Sequence, residues 1–303
     1  MLQALWASLV ATLYIYLRPM FKWIIRRVTG KCELLRIVYQ YPNGAARTKY
    51  VEYSLKHSSH HELKRLVKET DTNIEAAVVL VMKTKCILPE VHSQFEHIFR
   101  QSLTQINGYV RLQHEVETVR QVKYSSENSD HEDKLMKLWN ILTDGEKLTS
   151  RTCSQWSQIG FQGEDPQTDF RGMGQLGLDQ LLYFSTKYTA EARSLLSKSH
   201  NQYFGYSFAI VGINLTELVY TLLKHGNLRT HYYNNKSSKP TIEDFHEVYC
   251  YVFFDFDTFW FNEKPKDIME FGRIREKYRK KLVARLKEKD TVLTAEFQYK
   301  HDS

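Results

Sequence analysis

The sequence predicts an all-α protein. Apolar residues recur at three- and four-residue spacing through one segment after another, and alternating β-branched runs bounded by hairpin turns are scarce. There is also no internal repeat and no low-complexity tract. With 303 residues, 42% of them hydrophobic and 13% aromatic, the chain can bury a core without disulfides or metals.

Residues 1–17 carry no charge, and Arg18-Pro19 interrupts the run. This apolar N-terminal helix, with its basic flank, marks off a first segment, 1–30. A cleaved signal peptide fits it worst, because the charges follow the apolar stretch instead of preceding it. A spanning helix is marginal in length unless Met20, Phe21, Trp23, Ile24 and Ile25 extend it, and the basic flank would then keep the body of the protein cytosolic. An interfacial helix would use Trp6, Tyr14, Tyr16 and Trp23 as aromatic anchors. Packing onto the protein itself is the remaining option. The expectation is lipid contact through residues 1–31 by a chain that is otherwise cytoplasmic.

Residues 31–40 continue at helical spacing with Cys32, Leu34, Leu35 and Val38, and stop at Tyr41-Pro42-Asn43-Gly44. Polar, turn-rich sequence follows to about Ser59. Helices are then predicted over 60–69, 73–84, 90–106 and 109–122. The polar break 124–130 separates this N-terminal helical region, 31–129, from a main domain, 130–290, and a polar tail, 291–303. In the main domain the apolar spacing predicts helices over 131–142, 176–184, 189–199 with Thr189 as cap, 206–224, a long one from Thr241 onward, and a basic one over 267–288. Residues 206–224 are apolar on most sides, which predicts the central helix of the core.

The formal charge of +7 implies attraction to an anionic surface, whether lipid, nucleic acid or acidic protein. Much of the excess lies in terminal basic runs, which read as solvated helix faces. The four cysteines are far apart, with no Cys-x-x-Cys pair and no histidines at zinc spacing, so they read as ordinary cytosolic thiols and predict no metal site.

Between the helices at 131–142 and 176–184 lies the stretch 156–174, which holds Gly160, Gly163, Gly172 and Gly174 together with Pro166. Such density marks a loop whose path is set by backbone geometry, and loops of this kind carry function more often than packing. Residues 172–177 match G-x-G-x-x-G, but that fingerprint has meaning only after a buried strand, and the residues before it are too polar and broken. No P-loop is present either, so no nucleotide, cofactor or metal is expected to belong to this chain. Arg171 stands in the middle of the loop. A guanidinium suits phosphoryl oxygens, and one supplied in trans to a GTPase stabilises the charge of the transferring phosphoryl group. The same residue is also read as a brace paired with Asp169 or Asp165, and the residues alone leave both roles open.

The pattern Trp156-x3-Gly160-Phe161-Gln162-x3-Pro166-x-Thr168-Asp169-Phe170-Arg171-Gly172-x-Gly174-x-Leu176-Gly177-Leu178-x2-Leu181-x2-Phe184 resembles the signature of the ELMO-domain-containing proteins. The likeness extends to residues 205–214 and 29–34, and it is nearest to the family's first two members. The resemblance implies a helical ELMO domain that acts as a GTPase-activating protein for GTP-bound Arf-family small GTPases, notably the Arf-like branch, with Arg171 as the essential arginine finger. In that picture Asp169 orients Arg171 or caps the loop, and Gly172 and Gly174 let the backbone approach the partner. Trp156, Phe161 and Phe170 anchor the loop, while Gln162 touches the GTPase or its nucleotide, or is a structural amide. Mg²⁺ and GTP come with the partner, and no nucleic acid is involved. The alternative is a helical scaffold that binds a small GTPase without catalysis, as related adaptors do that share the domain without this arginine. The implied address is the cytoplasmic face of an organelle membrane, that of the endoplasmic reticulum, a lipid droplet or a mitochondrion.

Overall fold

The computed structural model describes residues 2–235 and 239–295, and every regular element among them is a helix. The chain forms two compact units, Met1–Val110 and Arg111–Ser303. The division falls inside one helix, whereas the polar break at 124–130 lies within the second unit.

The first unit contains α1 (Leu2–Thr29), α2 (Glu33–Gln40), α3 (Ala45–Lys56), α4 (His61–Arg65), α5 (Ile74–Lys85) and the start of α6 (Phe95–Gln121). Its core gathers Leu34, Leu35 and Val38 of α2, Val51 and Leu55 of α3, Val78 and Val81 of α5, and Phe95, Phe99, Leu103 and Ile106 of α6. α3 corrects the expectation of turn-rich sequence up to Ser59. Its buried face mixes Thr48, Val51 and Leu55 with Arg47 and Glu52, so the apolar period that would have revealed it is diluted by polar side chains. Gly44, at φ 100°, starts it from a conformation that L side chains rarely adopt. α6 corrects a second expectation. Two helices were predicted over 90–106 and 109–122, but Gly108 does not interrupt the helix, and Asn107 is held by its side-chain amide, which donates 3.1 Å hydrogen bonds to the carbonyls of Glu69 and Thr70.

The basic flank of α1 is not a purely solvated face. Arg18 is buried, donates to the Glu33 carboxylate at 3.0 Å and lies 4.6 Å over the Tyr53 ring; Lys22 joins the same carboxylate. Trp6, Tyr16, Met20, Phe21, Trp23, Ile24 and Val28 are exposed. Among the described residues no helix is long and apolar enough to cross a membrane.

The second unit adds α7 (Ser129–Leu142), two 3-10 turns (Ser154–Ile159 and Pro166–Arg171), α8 (Gly174–Lys187), α9 (Thr189–Ser199), α10 (Phe208–Lys224), α11 (Arg229–Asn234), α12 (Ile242–Glu263), a 3-10 turn at Ile268–Glu270 and α13 (Phe271–Arg285). α8 packs against α7, α9, α10 and α12, and α10 against α8, α9 and α12, so the predicted central helix shares that position with α8. Thr241 and Asp244 form a full capping box at the start of α12. Thr189 does not cap α9. Its hydroxyl turns back to donate to the carbonyl of Ser185 at 2.8 Å, which ties α9 to the last turn of α8. The C-terminal basic run is partly neutralised: Arg275 meets Glu217, Lys277 meets Glu263 and Arg279 meets Glu276.

Candidate functional site: the loop between α7 and α8

The loop rests on a chain of aromatic rings. Trp139 of α7 meets Trp156 edge-on at 5.2 Å between centroids, Trp156 meets Phe161 at 5.9 Å, and Phe161 meets Phe170 at 5.5 Å. Phe170 stacks on Tyr124 at 5.0 Å. Trp156 and Phe170 are fully buried and Phe161 nearly so, and the Trp156 indole N–H donates to the carbonyl of Arg151 at 2.9 Å. Each edge-on pair contributes about 0.5–1.5 kcal/mol beyond its buried area, so the rings fix a loop that has no long helix of its own.

Two glycines set its ends. At Gly160 (φ 85°) a Cβ would lie 2.8 Å from the Ala209 nitrogen and closer still to that of Phe208, at the start of α10. At Gly174 (φ 54°) it would lie 2.7 Å from the carbonyl oxygen of Arg120 and closer to that of Val122, beyond the end of α6. The close approach at Gly174 is therefore made to this chain's own backbone, and Gly174 is buried. Gly172 is different: it is exposed, has φ −82°, and a Cβ there would meet nothing within 4 Å.

The polar groups divide between two arginines. Arg151, in the polar stretch before the first 3-10 turn, is the centre of a half-buried network. It donates to Glu132 of α7 through Nε and, at 2.9 Å, through one terminal nitrogen, and to Asp165 at 3.2 Å. Tyr124 donates its hydroxyl proton to the same Glu132. Burial pushes the Glu132 carboxyl up, but the hydrogen bonds from Arg151 and Tyr124 and the Arg151 charge outweigh it and hold the group below its ordinary range. Burial and the adjacent Glu132 carboxylate raise the Tyr124 phenol. Arg151 carries no signal legible in the chain, because it sits in a segment without periodicity.

Arg171 ends the second 3-10 turn and is exposed. Its Nε donates to the carbonyl of Thr168 at 2.7 Å, and its terminal nitrogens hold no hydrogen bond among the described residues. The two loop aspartates are engaged elsewhere. Asp165 accepts from Arg151 and from the Gln167 N–H at 3.0 Å. Asp169 accepts the Gln162 N–H at 2.8 Å, so it closes the loop and does not hydrogen-bond Arg171. Burial pushes the Asp169 carboxyl up, against the pull of that N–H and of the nearby Arg171 charge. The same hydrogen bond brings the exposed Gln162 to the segment that ends in Arg171. Among the described residues no group of three or more His, Cys, Asp or Glu side chains is arranged to hold a metal.

Chemically, the site offers a fixed cation with two free donor groups on an exposed edge, flanked by Gly172 and Gln162 and supported from below by rings. Residues 114–275 match the model of the ELMO/CED-12 family. The chain is 47% identical over 279 residues to ELMO domain-containing protein 2 of Homo sapiens, covering 92% of this chain and 95% of the relative. It is 40% identical over 313 residues to human ELMO domain-containing protein 1, covering 94% of each, and 35% identical over 280 residues to ELMO domain-containing protein B of Dictyostelium discoideum, covering 88% and 94%. No solved structure matches significantly.

Proposed function

This chain belongs to the ELMO/CED-12 family, and we propose that it acts as a GTPase-activating protein for a GTP-bound Arf-family GTPase of the Arf-like branch, with Arg171 as the arginine finger. The observation that carries the reading is the state of Arg171. It is exposed, and both loop carboxylates that would make it a brace are bound to other groups. The Nε hydrogen bond to Thr168 orients the guanidinium while its terminal nitrogens remain for phosphoryl oxygens. Orientation set before binding spares the ordering entropy of a long side chain. Gly172 supports the reading, since nothing among the described residues requires a glycine there and a close partner would.

The test is single-turnover GTP hydrolysis by a panel of Arf and Arf-like proteins with the full chain added. Acceleration of at least one member is expected. Binding to the GTP-loaded forms without acceleration of any of them would replace this reading with a scaffold.

We also propose that the protein is held at an organelle membrane through α1, a reading supported by its exposed Trp6, Tyr16, Phe21 and Trp23 beside basic residues. Vesicle flotation of a chain lacking residues 2–16 and carrying Phe21→Ala and Trp23→Ala tests it: loss of flotation is expected, and unchanged flotation would overturn the reading. The deletion stops short of Arg18, whose loss would leave Glu33 without its buried partner.

A further inference from the structure

A cavity of about 540 Å³ opens in the N-terminal unit, within the range of small-molecule sites. Its walls are basic. Arg18, Lys22 and Arg26 follow one another at four-residue spacing, so they share a face of α1, and all three line the cavity. Lys56 at the end of α3, Lys64 in α4 and Lys85 at the end of α5 line it from other elements.

Among the described lining residues the only carboxylate is Glu33, and it is already shared by Arg18, Lys22 and the Ser54 hydroxyl. Arg26, Lys56, Lys64 and Lys85 form no ion pair among the described residues. The Arg18 side chain is only 9% exposed, and its buried Nε has no hydrogen-bond partner. A buried donor without an acceptor is unfavourable, and an oxygen of a bound anion would satisfy it. Burial lowers the Lys85 ammonium's pKa; the charges of Lys22 and Arg26 act the same way, while Cys32 and Glu33 oppose them.

We propose that this cavity binds an anion carrying two or more phosphate groups, in the manner of a multiply phosphorylated inositol, either as a lipid headgroup or as the free polyol phosphate. Cations on different elements suit charges spread across a ring better than a single carboxylate. The guanidinium forks match phosphoryl oxygens, and the lysines supply point charges. The proposal is independent of Arg171, which lies in the other unit.

The experiment is calorimetric titration of the full chain with inositol trisphosphate, inorganic phosphate and inositol. Saturable binding of the trisphosphate is expected, with inorganic phosphate about a hundredfold weaker and inositol silent. Lys64→Gln and Lys85→Gln should each weaken binding about tenfold, the scale of one charge-assisted hydrogen bond, with melting unchanged. Lys287→Gln, an exposed cation in the other unit, should leave affinity alone. Failure of the trisphosphate to bind, or equal losses in all three variants, would overturn the proposal. Vesicles containing phosphatidylinositol bisphosphate, compared with phosphatidylserine vesicles of equal charge, distinguish the sources. A preference for the former that is lost in Lys85→Gln identifies the lipid, and trisphosphate binding without such a preference identifies the free form.

Discussion

Arg151 and Arg171 stand in the same loop, carry the same charge and have opposite fates. Arg151 is surrounded by Glu132, Asp165 and Tyr124, and it holds the loop to α7. Arg171 keeps a single backbone acceptor and faces solvent. The two aspartates decide which arginine is structural: once Arg151 engages Asp165 and the Gln162 N–H engages Asp169, neither hydrogen-bonds the second cation.

Arg171→Lys keeps the charge and loses the planar fork, so accelerated GTP hydrolysis should fall by about 10³-fold or more. Melting should stay unchanged and affinity for the GTP-loaded partner should change little, because a finger acts on charge developing in the transition state. An unaltered hydrolysis rate would end the catalytic assignment.

Arg151→Met should do the reverse. It leaves Glu132 and Tyr124 facing each other without their cation, and stability should drop by about 2 kcal/mol, seen as a lower denaturation midpoint. Any loss of turnover should then follow the loss of folded protein. A stable Arg151→Met variant with normal melting would show that the network is not the brace described here.

The glycines repeat the contrast. Gly174→Ala forces a positive-φ alanine against the backbone carbonyls of Arg120 and Val122, with an expected cost of about 2–4 kcal/mol. Gly172→Ala should leave stability within about 0.5 kcal/mol, since its Cβ meets nothing. If Gly172 lies against the partner, the same variant should still weaken activation, which single-turnover rates on the folded protein will report.

The smallest effect concerns Asp169, whose folded pKa lies above its ordinary value of 3.8 because burial disfavours the charged form. The native state therefore holds its proton to higher pH than the unfolded chain does. The stability this gives is fully present below 3.8 and is lost as pH rises through the folded pKa. Asp169→Asn keeps an oxygen for the Gln162 N–H and removes the titration. The wild type should lose stability relative to the variant as pH rises through that window, by less than about 1 kcal/mol, and the variant should melt no lower at neutral pH.

Much of this molecule was legible in sequence. Long apolar spacing determined α5, α7, α10 and α12, and with them the all-α class, because burying one face of a helix needs a periodic stripe whatever it packs against. The Gly-rich segment marked the loop, and Arg171 stood out in it by residue type. α3 was not legible, because Arg47 and Glu52 take buried positions and dilute its apolar stripe, and neither was the continuity of α6 through Gly108.

What the tertiary structure alone decided is which polar groups find each other. Glu132, Arg151 and Asp165 are far apart in the chain and meet because α7 packs on α8 and the rings of Trp139, Trp156, Phe161 and Phe170 fold the loop onto them. Glu33 likewise reaches Arg18, Lys22 and Ser54 across three helices. Hydrophobic burial is non-directional and needs only the right residue types at the right period, so it is written along the chain. Hydrogen bonds and ion pairs need a partner at about 3 Å, and that distance exists only once the fold has closed.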